Sequence, residues 1–154
     1  MASIHDLANK WLAQDRDPET RREIANLIDV DNVMELESRL RHRITFGTAG
    51  LRAAMKAGFA YMNTLTVLQA SDGLAQYILD QHHSDSKKQL TVVIGHDARH
   101  NSERFARLAA AAFLQKEFTI LWYDQLVHTP MVPFAVDQYG AAAGVMVTAS
   151  HNPK

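Results

Sequence analysis

The sequence predicts a three-layer α/β/α domain with a mainly parallel, mixed sheet, preceded by an N-terminal helical arm. Three observations predict it. Apolar runs at 90–95, 118–123 and 141–147, each bounded by turn-forming residues, read as buried strands. Amphipathic stretches at helical spacing alternate with these runs, which implies parallel strands joined by right-handed crossovers and covered on both faces. The first 42 residues carry no such runs, only charged helical segments.

The arm comprises three helices. Ser3 is placed to cap the first, over 3–16, with Asp6 in its first turn and Leu7, Trp11 and Leu12 on one face. Asp17-Pro18 restarts the chain, Asp as cap and Pro in the first helical position, and the second helix runs to about Ile28. Asp31 is the expected cap of the third. There Val33, Leu36 and Leu40 are apolar, and Glu35, Glu37, Arg39 and Arg41 point outward. No chemistry attaches to this arm, which reads as a packing or partner-facing segment.

From residue 43 the character changes. Ile44-Thr45-Phe46 is strand-like and is punctuated by Gly47 and Gly50, after which Leu51 to Met55 run extended or irregular. Asn63-Thr64 opens a long helix to about His82, with Leu65, Leu68, Ala75, Ile78 and Leu79 along one face. The polar loop from His82 to Lys88 follows. The strand at 90–95 ends in His96-Asp97-Ala98-Arg99. Ser102 is the expected cap of the next helix, which turns Phe105, Leu108, Ala109, Ala112 and Phe113 inward and Arg104, Arg107 and Lys116 outward. Thr129-Pro130 begins a short helix before the last strand.

Composition narrows the function classes. The 154 residues are enough for one domain with its own core, and 47% hydrophobic against 21% charged residues is a globular balance. The net charge of -1 and the lack of a basic stripe argue against nucleic acid and anionic membranes as partners. With no cysteine there is no disulfide framework and no thiol chemistry, which fits a reducing compartment. The longest fully apolar run, 108–114, is too short to span a bilayer, and the first residues lack the pattern of a secretion signal. The expected location is cytoplasmic.

The chemistry gathers where the last apolar run ends, at Thr148-Ala149-Ser150-His151-Asn152-Pro153-Lys154. Open α/β sheets bind ligands beyond the carboxyl ends of their strands. A turn that merely caps the strand exit uses the same residue types, and on these seven residues alone the two readings weigh equally. A serine hydrolase is excluded, because no Gly-x-Ser-x-Gly elbow surrounds Ser150 and adjacent side chains on an extended segment point apart. His96 and His100 have a zinc-like spacing but are expected in a loop, where that spacing carries no geometry. Asp97 and Arg99, two apart after a strand, read either as a phosphate contact or as an ion pair that holds their loop. Gly47 and Gly50 allow a close backbone approach to an anion, and Arg52 beyond them offers a planar fork for phosphate oxygens. A glycine bulge with an exposed arginine is the alternative there.

Three stretches, in order, carry a family resemblance: Phe46-Gly47-Thr48-Ala49-Gly50-Leu51-Arg52, Gly95-His96-Asp97-Ala98-Arg99, and the terminal seven residues. Together they resemble the α-D-phosphohexomutase superfamily over about residues 40 to 154. Phe46 to Met55 and Phe105-Ala106-Arg107-Leu108-Ala109 are most similar to its phosphopentomutase/phosphoglucomutase-2 branch. The helical segments set the arm at 1–42, and the resemblance implies the family's first domain over 43–154, incomplete at its C-terminal end.

It also implies a chemistry. Ser150 carries a phosphoryl group and donates it to a sugar monophosphate, and the resulting bisphosphate reorients and returns its other phosphate. The net result is a shift between C1 and C5 of a pentose or C6 of a hexose. Mg²⁺ binds through the Ser150 phosphate, Arg52 holds phosphate, and His151 assists proton movement. Asn152 and Lys154 are secondary substrate contacts, and a sugar bisphosphate serves as primer. The expected partners are a phosphosugar and the remaining domains of the same enzyme, without which the chain is expected to be inactive. The rival from another class is a non-catalytic phosphate-binding or interaction module on the same scaffold.

Overall fold

A computed structural model of the chain describes residues 2–48, 50–82 and 89–149. It divides into two compact units, the boundary falling after Val67.

The first unit is built on α1 (Ile4–Gln14), α2 (Pro18–Asp29) and α3 (Val33–Leu40). Ser3 and Asp6 form a reciprocal capping box on α1, and Asp17 caps α2 with Pro18 in the first turn, both as the sequence implies. The cap of α3 is Asn32 rather than Asp31: its side chain accepts from Glu35 N at 3.1 Å. Asp31 instead takes a positive φ of 48°, which ends the preceding turn. Trp11, Ile24 and Leu36 are fully buried, one from each helix, and the Trp11 ring meets Phe59 edge-on at 5.0 Å. A fully buried aspartate, Asp15, joins α1 to α2. Its carboxylate accepts from Asp17 N at 3.1 Å and Thr20 Oγ1 at 2.5 Å.

Past α3 the chain forms a two-strand antiparallel hairpin, β1 (Phe46–Gly47) and β2 (Gly50–Leu51), paired Phe46 to Leu51 and Gly47 to Gly50. The strand expected from Ile44 is therefore shorter, since the Ile44 N–H turns instead to Phe59 O at 2.7 Å. Asn63 starts α4 (Thr64–Gln81), exchanging bonds with Thr66 N and Thr66 Oγ1, each at 3.0 Å.

The second unit continues α4 and adds β3 (Thr91–His96), α5 (Ser102–Gln115), β4 (Thr119–Trp122), α6 (Met131–Tyr139) and β5 (Ala143–Val147). The strands form one parallel sheet in the order β4-β3-β5, with Val92 opposite Ile120 on one side and Ala143 on the other. Side chains alternate along β3. Val92 and Ile94 pack with Ala75 and Ile78 of α4 and Ala106, Ala109 and Phe113 of α5. Val93 packs on the opposite face with Val132 and Ala135 of α6. The unit is thus three-layered, and among the described strands its sheet is parallel throughout.

Two glycines set the α6 layer. A β-carbon at Gly95 would stand 2.8 Å from Val132 Cγ2, and one at Gly144 2.6 Å from Val132 Cγ1. The helix therefore rests against strand backbone. Its cap-then-proline start also falls later than expected: α6 begins at Met131, and Pro130 precedes it without a side-chain cap bond. No helix among the described residues is long and apolar enough to cross a membrane.

Candidate functional site

β3 and β5 are parallel and in register from Val92 with Ala143 to His96 with Val147, so both strands finish at one edge of the sheet. The ladder gains one more step beyond them, Asp97 N donating to Val147 O at 3.1 Å. His96, expected in a loop, is the last residue of β3 and is buried. Its Nδ1 donates to Asp97 O at 3.1 Å and its ring lies 5.6 Å from that of Trp122.

The Asp97 carboxylate is the centre of this edge. Oδ1 accepts from Arg99 N at 3.0 Å and from Ser102 Oγ at 2.6 Å. Oδ2 accepts from Thr148 Oγ1 at 2.7 Å and from Ala149 N at 3.4 Å. One side chain thereby ties its own loop, the start of α5 and the exit of β5. Burial alone would push this carboxyl up. The hydrogen bonds from Ser102, Thr148 and the backbone of Arg99 and Ala149 outweigh burial and hold it below the usual carboxylate range. Asp97 is therefore ionised at neutral pH, an acceptor fully engaged by donors rather than a proton source.

The expected Ser102 cap differs accordingly. Ser102 is the first helical residue, its hydroxyl points to Asp97, and Asn101 takes the cap position in a left-handed conformation without a side-chain cap bond. Arg99 Nε lies 3.8 Å from Asp97 Oδ2, so the ion pair within the loop is present, though at the long end of contact.

Arg52 is found in the first unit, immediately after β2. Its side chain is exposed and makes no hydrogen bond or ion pair among the described residues. Gly50 has φ 105°, a conformation that glycine adopts readily and other residues rarely do, and a β-carbon there would meet nothing within 4 Å. The hairpin is consequently open on the side where a close approach was expected. Ser150, His151, Asn152 and Lys154 lie outside the described residues, as do Ala49 and most of the His82 to Lys88 loop.

What the sequence reading missed is the link between Asp97 and Thr148. They are 51 positions apart, so no local spacing reveals it. The available signal was indirect: an acidic residue directly after one buried strand and a hydroxyl directly after another. Among the described residues no group of three or more His, Cys, Asp or Glu could hold a metal ion, and the Asp97 oxygens are occupied by N–H and O–H donors. The described residues therefore do not form a metal cage.

The family model for the phosphoglucomutase/phosphomannomutase α/β/α domain I matches residues 43–154. Among curated proteins, the probable phosphoribomutase of Schizosaccharomyces pombe is 54% identical over 97% of this chain and 25% of its own length. The phosphoribomutase of Saccharomyces cerevisiae is 49% identical over 99% of the chain and 24% of its length. The glucose 1,6-bisphosphate synthase of Mus musculus is 46% identical over 94% and 24%. The chain spans about a quarter of the length of these relatives. No solved structure matches it significantly. A parallel sheet between helical layers accords with an α/β/α domain I, and with residues 43–154 matched, the chain belongs to the phosphoglucomutase/phosphomannomutase family of the α-D-phosphohexomutase superfamily.

Proposed function

We propose that this chain is the phosphoryl-carrying part of a phosphosugar mutase, with Ser150 as the carrier. The observation that supports this best is the Asp97 tether, which holds Thr148 and Ala149 at the carboxyl edge of a parallel sheet, directly ahead of Ser150. In the forward half-reaction the P–Oγ bond of phosphoserine breaks and a new P–O bond forms to the free hydroxyl of a sugar monophosphate. That hydroxyl loses its proton and Ser150 Oγ gains one, so the exchange is proton-neutral. His151, whose charge is adjustable near neutral pH, relays the proton. The bisphosphate then turns, and its other phosphate returns to Ser150.

Phosphoryl transfer depends mainly on positioning and charge neutralisation. Arg52 supplies a bidentate fork for phosphate, and Asn152 and Lys154 add polar contacts. Mg²⁺ held through an oxygen of the Ser150 phosphate would neutralise charge there, its other ligands coming from outside the described residues. Two of the relatives are named for ribose, which favours a pentose phosphate exchanged between C1 and C5 over a hexose. The reading is of a cytoplasmic enzyme in which further domains anchor the distal phosphate and enclose the turning bisphosphate.

The test uses the full-length protein. Peptide mapping should find phosphate on Ser150, and ribose 1-phosphate with the 1,5-bisphosphate primer should be isomerised. Ser150→Ala should lower turnover by about 10⁴-fold or more, and the 154 residues assayed alone should give none. A homogeneous Ser150→Ala protein at full turnover would overturn the reading.

A further inference from the structure

Four donors converge on two oxygens at Asp97, and they come from two kinds of place. Arg99 N and Ser102 Oγ belong to the β3–α5 connection, which is local to Asp97. Thr148 Oγ1 and Ala149 N belong to the exit of β5, 51 and 52 residues away. The two local bonds orient the carboxylate, and the other two use that orientation to hold a remote segment. The last residue so held, Ala149, is covalently bonded to Ser150.

We infer that Asp97 is a positioning residue, which through Thr148 and Ala149 fixes the strand exit to which the phosphoryl-carrying Ser150 is bonded. This inference rests on the mutase reading above. A serine on an untied strand exit would sample many positions, and a displacement of about 1 Å in a reacting group can cost about 10²-fold in rate. The ionised carboxylate strengthens each bond over its neutral counterpart. An amide cannot replace it. In the Asp97→Asn protein the side-chain NH₂ group, in either orientation, would face a backbone N–H, that of Arg99 or that of Ala149. The two hydroxyls can rotate to accept, but the two backbone amides cannot.

The structure also separates positioning from stability. Ser102→Ala removes one local bond and leaves both bonds to the β5 exit. Thr148→Val removes the shorter of the two bonds to the exit with little change in volume, and leaves the loop and α5 tied.

The experiment measures kcat, KM, melting temperature and the rate of Ser150 phosphorylation by sugar bisphosphate in the full-length protein. Thr148→Val and Asp97→Asn should lower kcat and the phosphorylation rate by about 10–10²-fold with KM changed far less. Thr148→Ser, which restores the donor, should recover most of the rate. Ser102→Ala should lower the melting temperature with a much smaller loss of kcat than Thr148→Val. If Thr148→Val and Asp97→Asn keep wild-type kcat and phosphorylation rate while only the melting temperature falls, Asp97 is structural and the inference fails, with the mutase reading intact. If wild-type protein carries no phosphate on Ser150 and Ser150→Ala turns over normally, the mutase reading itself has failed.

Discussion

The hairpin that leads into Arg52 and the edge that leads into Ser150 are organised in opposite ways. The hairpin pairs two residues with two, Phe46 is 67% exposed, and Arg52 extends from it with no bonded neighbour among the described residues. At the edge, Asp97 alone accepts four hydrogen bonds, and the strand behind it, β3, is paired on both sides. A group that transfers phosphoryl is best fixed before substrate arrives, since reorganisation at the moment of reaction is costly. A group that clasps a phosphate gains its partners from the ligand. On the mutase reading proposed above, the contrast separates residues whose loss disturbs the fold from residues whose loss disturbs only binding.

The sharpest way to break this contrast is at Arg52. Arg52→Lys keeps the charge but loses the bidentate fork, and mutase turnover should fall about 10²-fold. Thermal or urea unfolding should place its stability within about 0.5 kcal/mol of wild type, because nothing described is lost. A large loss of stability would show that the hairpin is anchored through Arg52 and would dissolve the distinction.

A smaller effect is expected at Asp97, and it should depend on pH. Its folded pKa lies below the unfolded value of about 3.9. Between the two values the unfolded chain binds more protons, so stability rises with pH through that window. The contribution is fully present above about pH 4 and is lost as pH falls through the folded pKa. Urea titrations from about pH 3 to pH 7 should show Asp97→Asn less stable by about 1–3 kcal/mol at neutral pH, one backbone N–H being left facing an NH₂ group. The difference should shrink on the acid side. A constant difference across the range would mean that the ionised form is not what binds.

The smallest effect belongs to Gly50. Its β-carbon would be unhindered, so Gly50→Ala should cost only the conformational term for its positive φ, about 1–3 kcal/mol in an unfolding curve. A larger cost would reveal a close neighbour and make the hairpin resemble the tied edge.

The two regions also differed in how much of them could be read in advance. Local chemistry was readable. Ser3 with Asp6, and Asp17 with Pro18, mark helix starts within a few residues, and the alternation of apolar runs with helices implied the parallel three-layer unit. Adjacent candidates were harder to separate. Asp31 and Asn32 both suit a cap, and only the backbone decides, since a positive φ at Asp31 moves the cap one residue on. Ser102 has the chemistry of a cap, but a carboxylate 2.6 Å away competes for its hydroxyl. Arg52 was singled out from its glycines and from the family resemblance, and it stands exposed directly after β2. The bonds from Asp97 to the β5 exit were not legible, because pairing β3 with β5 brings together residues that no periodicity connects.

The notch that Gly95 and Gly144 leave for Val132 bears on how such a sequence can drift. A methyl group at either glycine would overlap a different branch of the same valine, Cγ2 for Gly95 and Cγ1 for Gly144. An alanine at position 144 would still stand 2.8 Å from Val136 Cγ2 after residue 132 gave up volume, and a smaller residue at 132 also empties the space above Gly95. Overpacking and cavities both destabilise, so single steps away from the present trio run uphill in either direction. Val127 at Gly95 and Val136 at Gly144 share the overlap, each with its Cγ2 2.8 Å from the added carbon, so a double substitution such as Gly144→Ala with Val132→Ala should be milder than the sum of its parts without becoming neutral.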